Sequence, residues 1–149
     1  MLGAFAHVGI TVSDMDRALH FYRDLLGLQV VGDVTFAGEE ADELTQEQNV
    51  TLRAVYLRSP DDKKGAPIEL LQFVSPLATG KPYPGIANPG ITEVAFWVQD
   101  IEKIYADLKA QGVSFYSPPQ LFELESYKVK AVYFRDPDGT TLELIQNVK

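Results

Sequence analysis

The segment Pro67-Ile68-Glu69-Leu70-Leu71-Gln72-Phe73-Val74 decides the fold, because a near copy, Thr141-Leu142-Glu143-Leu144-Ile145-Gln146-Asn147-Val148, ends the chain. Both copies place a carboxylate inside an apolar strand pattern and follow a turn rich in Pro, Asp and Gly. A buried carboxylate without a partner is costly, or its pKa shifts strongly. Because Glu69 and Glu143 occupy the same place in two copies, they indicate a shared cause.

The repeat extends well beyond these two strands. Residues 7–16 correspond to residues 93–102 at a constant offset, and Arg53–Arg58 corresponds to Lys130–Arg135, each followed by one residue and Pro-Asp. An internal repeat of this kind means that one supersecondary unit is used twice. The sequence therefore predicts a single domain, 1–149, with module 1 at about 1–74, a linker at 75–90 rich in Pro and Gly, and module 2 at about 91–149.

Each module has the pattern of a βαβββ unit. Strand periodicity is followed by an amphipathic helix with an Asp near its start and a Gly after its end. The predicted helices run from Ser13 or Asp14 to about Leu26 and from Asp100 to about Gln111. The predicted strands lie near 8–12, 28–34, 50–58, 67–74, 91–98, 113–116, 129–135 and 140–148.

Composition limits the functional classes. The chain has 149 residues, 46% of them hydrophobic, no cysteine and a formal charge of −8. The absence of cysteine excludes disulfides and thiolate metal ligands, and the negative charge argues against nucleic-acid binding. No apolar run approaches the roughly 18 residues of a membrane span, and no basic segment precedes the apolar N-terminus. We expect a soluble cytoplasmic protein.

One stretch, 39–47, concentrates acidic side chains. Charge runs of this kind usually form a solvated loop or short helix. The alternative is a mobile flap that covers a site and contributes a carboxylate to it.

Four residues are candidates for chemistry because of the face on which they lie. Side chains alternate along a strand, so His7 and Glu93 point away from the apolar faces of their strands, and Glu69 and Glu143 do the same. If the helices lie outside, all four face one concave surface, where one imidazole and three carboxylates would suit a divalent cation. Taken singly, each is typical of a solvated side chain, but their repeat-equivalent positions favour a metal or substrate site.

The chain resembles the vicinal oxygen chelate superfamily, which includes glyoxalase I, methylmalonyl-CoA epimerase, extradiol dioxygenases and bleomycin and fosfomycin resistance proteins. The resemblance rests on the repeat and on four motifs: His-Val-Gly-Ile-x-Val-x-Asp at 7–14, Phe-Tyr-Arg-Asp-Leu-Leu-Gly-Leu at 21–28, Ile-Glu-Leu at 68–70 and Asp-Pro-Asp-Gly-x-x-Leu-Glu-Leu at 136–144. Together, the residue patterns and the resemblance predict an α+β protein. Its two βαβββ modules would form a half-barrel-like mixed sheet around a concave cleft, with the helices outside.

The resemblance also implies a ligand set. Metal ligands in such proteins come from the first and last strands of each module, which correspond to His7, Glu69, Glu93 and Glu143. One divalent ion (Mn, Fe, Zn or Ni) and a homodimer are implied, with the site either within one chain or across the dimer. The third position is commonly His in glyoxalase- and epimerase-like relatives. Here it is Glu93, which is either a ligand or a base, and the dioxygenase triad of two His and one carboxylate is absent.

The function implied is a metal-dependent isomerase, epimerase or lyase that transfers a proton α to a carbonyl of a chelated small-molecule substrate. Glu143 and Glu93 are the candidate bases. The alternatives are a metal-free protein that sequesters a flat ligand, and a thiol transferase or dioxygenase of the same superfamily. Candidate substrate contacts are aromatic residues, which could equally be core, and two cations, which could equally be surface charges: Trp97, Phe73, Tyr56, Tyr133, Arg53 and Lys130.

Overall fold

The computed structural model describes residues 1–148 and contains two compact units, Met1–Gly80 and a second that begins at Lys81. Each unit holds one module, so the predicted repeat and the α+β class are confirmed. The elements are β1 (Val8–Thr11), α1 (Met15–Leu19), a π-helical segment (His20–Leu25), β2 (Gln29–Ala37), α2 (Glu39–Thr45), β3 (Thr51–Arg58), β4 (Ile68–Ser75), β5 (Val94–Trp97), α3 (Ile101–Ala110), β6 (Gln120–Glu123), β7 (Lys128–Arg135) and β8 (Thr141–Val148).

The two sheets have the same topology. The strand order is β1-β4-β3-β2 in the first unit and β5-β8-β7-β6 in the second. The first strand of each module pairs in parallel with the last, and the remaining neighbours are antiparallel. The last strand therefore lies between the first strand and its hairpin partner, so its Glu has a neighbour on each side.

The helices begin and end where the sequence predicts. The Asp14 carboxylate accepts a hydrogen bond from the Arg17 amide at 2.8 Å, and the Asp100 carboxylate accepts one from the Lys103 amide at 3.0 Å. Both are N-caps, which satisfy backbone donors that have no partner within the helix. Gly27 and Gly112 follow the two helical stretches with positive φ angles of 77° and 85°, which glycine adopts without strain.

One predicted strand is wrong in its position. The stretch 113–116 forms only an isolated bridge, Phe115 to Phe134, and the regular strand of that part of module 2 is β6, at Gln120–Glu123. Pro118 and Pro119 lie between the two stretches. Because proline has no backbone N–H, it interrupts a pairing that in module 1 extends from Gln29 to Ala37 with a single register shift.

The turn before β8 is held by one side chain. A single oxygen of Asp136 accepts hydrogen bonds from the backbone N–H groups of Asp138, Gly139 and Thr140, at 2.8–3.0 Å. Gly139 has a φ of 101°, in the region that favours glycine. The Asp-Pro-Asp-Gly sequence thus fixes the hairpin register that places Glu143.

Each sheet buries the face that carries its helix. In the first unit Ile10, Val12, Ile68 and Leu70 are buried there, and in the second Leu142 and Leu144 are buried. Apolar side chains from the first helical stretch complete the first core: Met15, Ala18, Leu19, Phe21 and Tyr22. No helix among the described residues is long and apolar enough to cross a membrane.

The acidic stretch forms the short helix α2, as one of the two interpretations of the sequence predicted. The Asp42 carboxylate accepts hydrogen bonds from the Asn49 and Val50 amides at 2.9 and 2.7 Å, which closes the loop that follows the helix. Ala41 of α2 and Val50 form a small apolar cluster with Leu52, against which Leu71 and Phe73 pack.

Candidate functional site

The two predicted Glu residues lie opposite tyrosines on the neighbouring strand. The register pairs Tyr56 with Glu69 between β3 and β4, and Tyr133 with Glu143 between β7 and β8. Side chains at directly opposed positions share a face of the sheet. Each module therefore places one Tyr and one Glu side by side, on the face opposite Ile68 and Leu70 in module 1 and opposite Leu142 and Leu144 in module 2.

In module 1 this pair is closed by hydrogen bonding. The Tyr56 hydroxyl donates to Glu69 Oε1 at 2.6 Å, and His7 Nε2 lies 3.3 Å from Glu69 Oε2. The His7 and Tyr56 rings meet edge to face, with their centroids 6.0 Å apart. The hydrogen bond to the carboxylate, with burial second, raises the pKa of Tyr56 to about 12, so its hydroxyl stays protonated at neutral pH.

Glu69 lies close to a glycine of the first strand. Gly9 lies beside Glu69 in the parallel register of β1 and β4, and a Cβ at Gly9 would lie 3.4 Å from Glu69 Oε2. The His7 side chain is 43% exposed, whereas that of Glu69 is only 14% exposed. Module 1 thus presents an accessible imidazole above a carboxylate that is already held.

In module 2 the same pair is open. The hydroxyl of Tyr133 forms no hydrogen bond within the described residues, and Glu93 Oε2 is buried without a hydrogen-bond partner. Burial, and after it the charge of Glu93, raises the pKa of the Glu143 carboxyl above its ordinary value. Burial and the charges of Glu93 and Glu143 also raise the pKa of Tyr133. Two carboxylates near each other in a half-buried position favour the uptake of a proton or a cation.

The remaining predicted contacts are divided between the two faces of the sheets. Trp97 is 67% exposed and follows Ala95 on the face of β5 that also carries Glu93. Phe73 shares the face of Glu69 but packs against the apolar cluster beside α2. Core packing was the alternative for Phe73, and the structure favours it.

Arg53 and Lys130 lie on the opposite faces from Glu69 and Glu143, because each is displaced from its tyrosine by an odd number of residues. Arg53 Nη2 pairs with Asp33 at 2.8 Å, and Lys130 Nζ pairs with Glu102 of α3 at 2.6 Å. Both cations have partners, which favours the alternative that they are surface charges.

The nitrogen and oxygen atoms of His7, Glu69, Glu93 and Glu143 are of the types that bind divalent cations. Module 1 supplies an imidazole nitrogen and a carboxylate oxygen in contact, and module 2 supplies the orphaned oxygen of Glu93 and the carboxyl of Glu143. Across residues 1–148, no group of three His, Asp or Glu side chains lies close enough together to hold one ion. The four donors occur as two pairs, one in each module, and their convergence stays a prediction.

The sequence did not reveal the role of Tyr56 as the hydrogen-bond donor to Glu69. Both tyrosines were predicted only as aromatic side chains near a ligand. The signal lay in the repeat, since Ala-Val-Tyr occurs at 54–56 and again at 131–133, in strands that form hairpins with the Glu strands. With the hairpin register known, the Tyr–Glu pairing follows from the alternation of side chains.

The fold and the two equivalent Tyr–Glu pairs show that the protein contains a duplicated βαβββ module. Residues 4–144 match the family model described as the Glyoxalase/Bleomycin resistance protein/Dioxygenase superfamily, and the chain belongs to that superfamily. Its members often use a divalent metal, bind small molecules and form dimers.

One sequence relative and two solved structures are similar to this chain over most of its length. The chain is 31% identical over 138 residues to the uncharacterised protein YurT of Bacillus subtilis (strain 168), covering 92% of this chain and 94% of the relative. A crystal structure of a glyoxalase family protein from Bacillus cereus superposes with a TM-score of 0.84 at 23% identity, over 100% of this chain and 97% of that one. The trypanothione-dependent glyoxalase I of Leishmania major superposes with a TM-score of 0.67 at 19% identity, over 97% and 87% of the two chains. At these identities the two structures establish the fold alone.

Proposed function

We propose that this protein catalyses proton transfer α to a carbonyl group of a small molecule, as an isomerase, epimerase or lyase that depends on a divalent metal. The observation that carries the proposal is the carboxylate pair of module 2, in which Glu93 has a buried oxygen without a partner and Glu143 has a raised pKa. A general base works best when its pKa lies near the operating pH, and Glu143 is shifted in that direction.

In this proposal the residues have different tasks. Glu143 accepts the proton from the substrate carbon and returns it, and its pKa is kept raised by burial and, after burial, by the charge of Glu93. Tyr133 stays protonated because its pKa is raised, so its hydroxyl can donate a hydrogen bond to a substrate oxygen. His7 and Glu69, which are in contact, would be protein ligands of a divalent ion of the kind Mn, Fe, Zn or Ni. A bound ion of this kind supplies Lewis-acid stabilisation of negative charge next to a carbonyl.

The arrangement in module 1 supports a holding role for Glu69. Its Oε1 already accepts the Tyr56 hydrogen bond, so only Oε2, which faces His7, remains for a further partner. An oriented carboxylate of this kind resembles a ligand that is positioned by its own hydrogen-bond donor. Glu69 is therefore a poorer candidate for the base than Glu143.

The test combines metal content with proton exchange. Elemental analysis of untagged protein should find about one equivalent of metal, as expected for one metal ion chelating two substrate oxygens. In D₂O with added Mn²⁺, Ni²⁺ or Zn²⁺, NMR should detect exchange of the α-protons of small 2-hydroxy- and 2-oxo-carbonyl compounds. Glu143→Gln should abolish the exchange. Glu123→Gln, which alters an exposed carboxylate paired with Lys128, is the control.

Absence of both metal uptake and exchange over the panel would overturn the proposal. The second candidate is then a protein that binds a flat ligand without metal, and one observation favours it: Trp97, the only tryptophan of the chain, is largely exposed on the face that carries Glu93. Its fluorescence would report such a ligand directly, because stacking changes the environment of the indole.

A further inference from the structure

The first unit contains a cavity that lies apart from the residues of the proposed function. It lies where the end of β3 and the following turn meet the start of β2, and its volume is about 250 Å³. Pockets for drug-sized ligands run from about 300 to 1,000 Å³, so this one suits a small acid or one end of a larger molecule. The lining residues are Gln29, Val31, Arg58, Ser59, Pro60 and Lys63.

The guanidinium of Arg58 is only partly satisfied. Its Nη1 donates to the Lys63 carbonyl oxygen at 2.8 Å, but its Nε is buried and has no hydrogen-bond partner. Buried donors in folded proteins nearly always have an acceptor. The Nε and Nη2 groups lie along one edge of the guanidinium, the fork that matches two oxygens of a carboxylate or phosphate.

The second cation of the cavity also lacks a counter-charge. Within residues 1–148 neither Arg58 nor Lys63 forms an ion pair, whereas Arg53, Lys128 and Lys130 all do. In a chain of formal charge −8, these two cations without carboxylate partners both line one cavity. Such a place attracts an anion that the rest of the surface repels.

In the other module the equivalent arginine has partners within the chain. Arg135 is the repeat-equivalent of Arg58. Its guanidinium lies over the Tyr116 ring at 4.7 Å, and its Nη2 donates to the Pro84 carbonyl oxygen at 2.7 Å. Among the described residues, none provides a ring over which Arg58 stacks. The two arginines occupy equivalent positions at the ends of their strands. The strand position therefore does not explain why Arg58 has fewer partners than Arg135.

A β-bulge accompanies the cavity. The pairing of β2 with β3 shifts register between Val30 and Gly32, so Val31 is an extra residue opposite the end of β3. Bulges re-aim side chains and interrupt pairing, and they are common next to binding sites. Here the bulged residue is itself part of the cavity wall.

We infer that this cavity binds the carboxylate or phosphate group of a small-molecule anion. The Nε and Nη2 groups of Arg58 form the fork that holds two of its oxygens, and the Lys63 ammonium supplies the second charge. The Ser59 hydroxyl, which accepts a hydrogen bond from the Asp61 amide at 3.2 Å, keeps its own proton to donate. None of these residues takes part in the proposed proton transfer, so the inference does not rest on it.

The experiment is a titration of the protein with acetate and, separately, with inorganic phosphate, at constant ionic strength adjusted with sodium chloride. The ¹⁵N-¹H signals of the Arg58 Nε–H and of the Ser59 and Lys63 amides are followed by NMR. They should move together and saturate with one dissociation constant. Tighter binding of acetate identifies the group as a carboxylate, and tighter binding of phosphate identifies it as a phosphoryl group.

Two variants and a matched control make the assignment specific. Arg58→Met should weaken binding at least about tenfold, since it removes a charge-assisted fork. Lys63→Gln should weaken it about threefold, since it removes an exposed charge. Lys64→Gln removes the same charge from the neighbouring exposed residue, which does not line the cavity, and should leave binding unchanged.

Signals that do not saturate would overturn the inference. So would equal dissociation constants for Lys63→Gln and Lys64→Gln. Because Lys63 lies in an exposed turn, this second comparison remains decisive even where Arg58→Met lowers the stability of β3.

Discussion

The two modules contain the same Tyr–Glu pair in the same register, but only one of the pairs is closed. In module 1 Tyr56 donates to Glu69 at 2.6 Å and His7 contacts the same carboxylate. In module 2 Tyr133 has no hydrogen bond within the described residues, and the neighbour of Glu143 is a second carboxylate, Glu93.

The comparison distinguishes two contributions to the site: the pairing of each Tyr with its Glu, which follows from the backbone, and the charge next to that Glu, which follows from the residue before the first strand. Strand order and register bring each Tyr next to its Glu in both modules. The residue just before the first strand then determines the charge environment. His7 offers a hydrogen-bonding nitrogen to Glu69. Burial is the larger cause of the raised pKa of Glu143, and the charge of Glu93 raises that pKa further. Duplication of one module thus provides one carboxylate that is held and one that is ready to take a proton.

The largest expected effect concerns activity and distinguishes the two carboxylates. Glu143→Gln should lower kcat for proton exchange by about 10²–10⁴-fold at saturating metal, because it removes the general base. Glu69→Gln should act mainly by weakening metal binding, so that excess Mn²⁺ or Ni²⁺ restores a large part of the rate. Steady-state rates measured over a range of metal concentrations give the comparison. Equal, metal-independent losses in both variants would contradict the division of tasks.

The next effect concerns stability. Tyr56→Phe removes a charge-assisted hydrogen bond and leaves Glu69 Oε1 without its donor, so the free energy of unfolding should fall by about 1–2 kcal/mol. Tyr133→Phe removes no hydrogen bond of the described residues and should cost less than about 0.5 kcal/mol. Urea unfolding of both variants measures the difference. Similar losses would mean that the two pairs are not distinct.

Alkaline titration provides a second measurement of the Tyr56 bond. With a pKa of about 12 in the folded protein, against about 10 in the unfolded chain, Tyr56 favours folding below pH 10. That contribution is lost as the pH rises from about 10 to about 12. Absorbance near 295 nm should show a late-titrating tyrosine that is missing in Tyr56→Phe. A titration identical to that of the wild type would contradict the assignment.

A smaller effect concerns Glu143 and the pH dependence of stability. Because its pKa is raised on folding, the charged form is disfavoured in the folded protein, and Glu143 lowers stability once the pH exceeds its folded pKa. Glu143→Gln should therefore keep or raise the thermal unfolding midpoint at pH 7–8, and this advantage should vanish at about pH 3, well below the ordinary pKa of Glu, where the carboxyl is protonated in both states. Scanning calorimetry at the two pH values tests this expectation, and a midpoint lowered at pH 7 would oppose it.

The smallest expected effect on stability comes from exchanging the small residues that lie beside Glu69 and Glu143. Gly9→Ala adds a methyl group 3.4 Å from Glu69 Oε2, which is ordinary contact, and Ala95→Gly removes the methyl group beside Glu143. Each substitution should change the free energy of unfolding by less than about 1 kcal/mol. A loss well above that value for Gly9→Ala would show that Glu69 needs the space above Gly9.

Most of the fold could be predicted from the sequence because local signals agree with one another. Asp14 and Asp100 cap the helices, Gly27 and Gly112 follow them, and the Asp-Pro-Asp-Gly turn fixes the last hairpin. The strand at 113–116 was misplaced because its apolar alternation is strong, while its continuation is interrupted by Pro118 and Pro119. Periodicity alone does not show how far pairing continues beyond a proline.

The site was predicted only in part. Alternation along single strands placed Glu69, Glu143 and Glu93 on the faces away from the buried aliphatic residues. It did not fix the faces of Arg53 and Lys130, which depend on hairpin register and pair with acidic neighbours. Register is a property of two strands, so the Tyr56–Glu69 bond and the cavity at Arg58 could not be derived from one strand at a time.

The bulge at Val31 has a consequence for association between molecules. β2 is the outer strand of its sheet, and all of its residues but Gly32 are exposed, including Val30, Val34 and Phe36. A long, flat, apolar edge of this kind is a template for a strand from another molecule. The extra residue twists the strand and shifts its backbone groups by one position partway along, so a straight incoming strand can pair with only part of it. We therefore expect the same bulge that places Val31 in the cavity wall to disfavour edge-to-edge aggregation at high concentration.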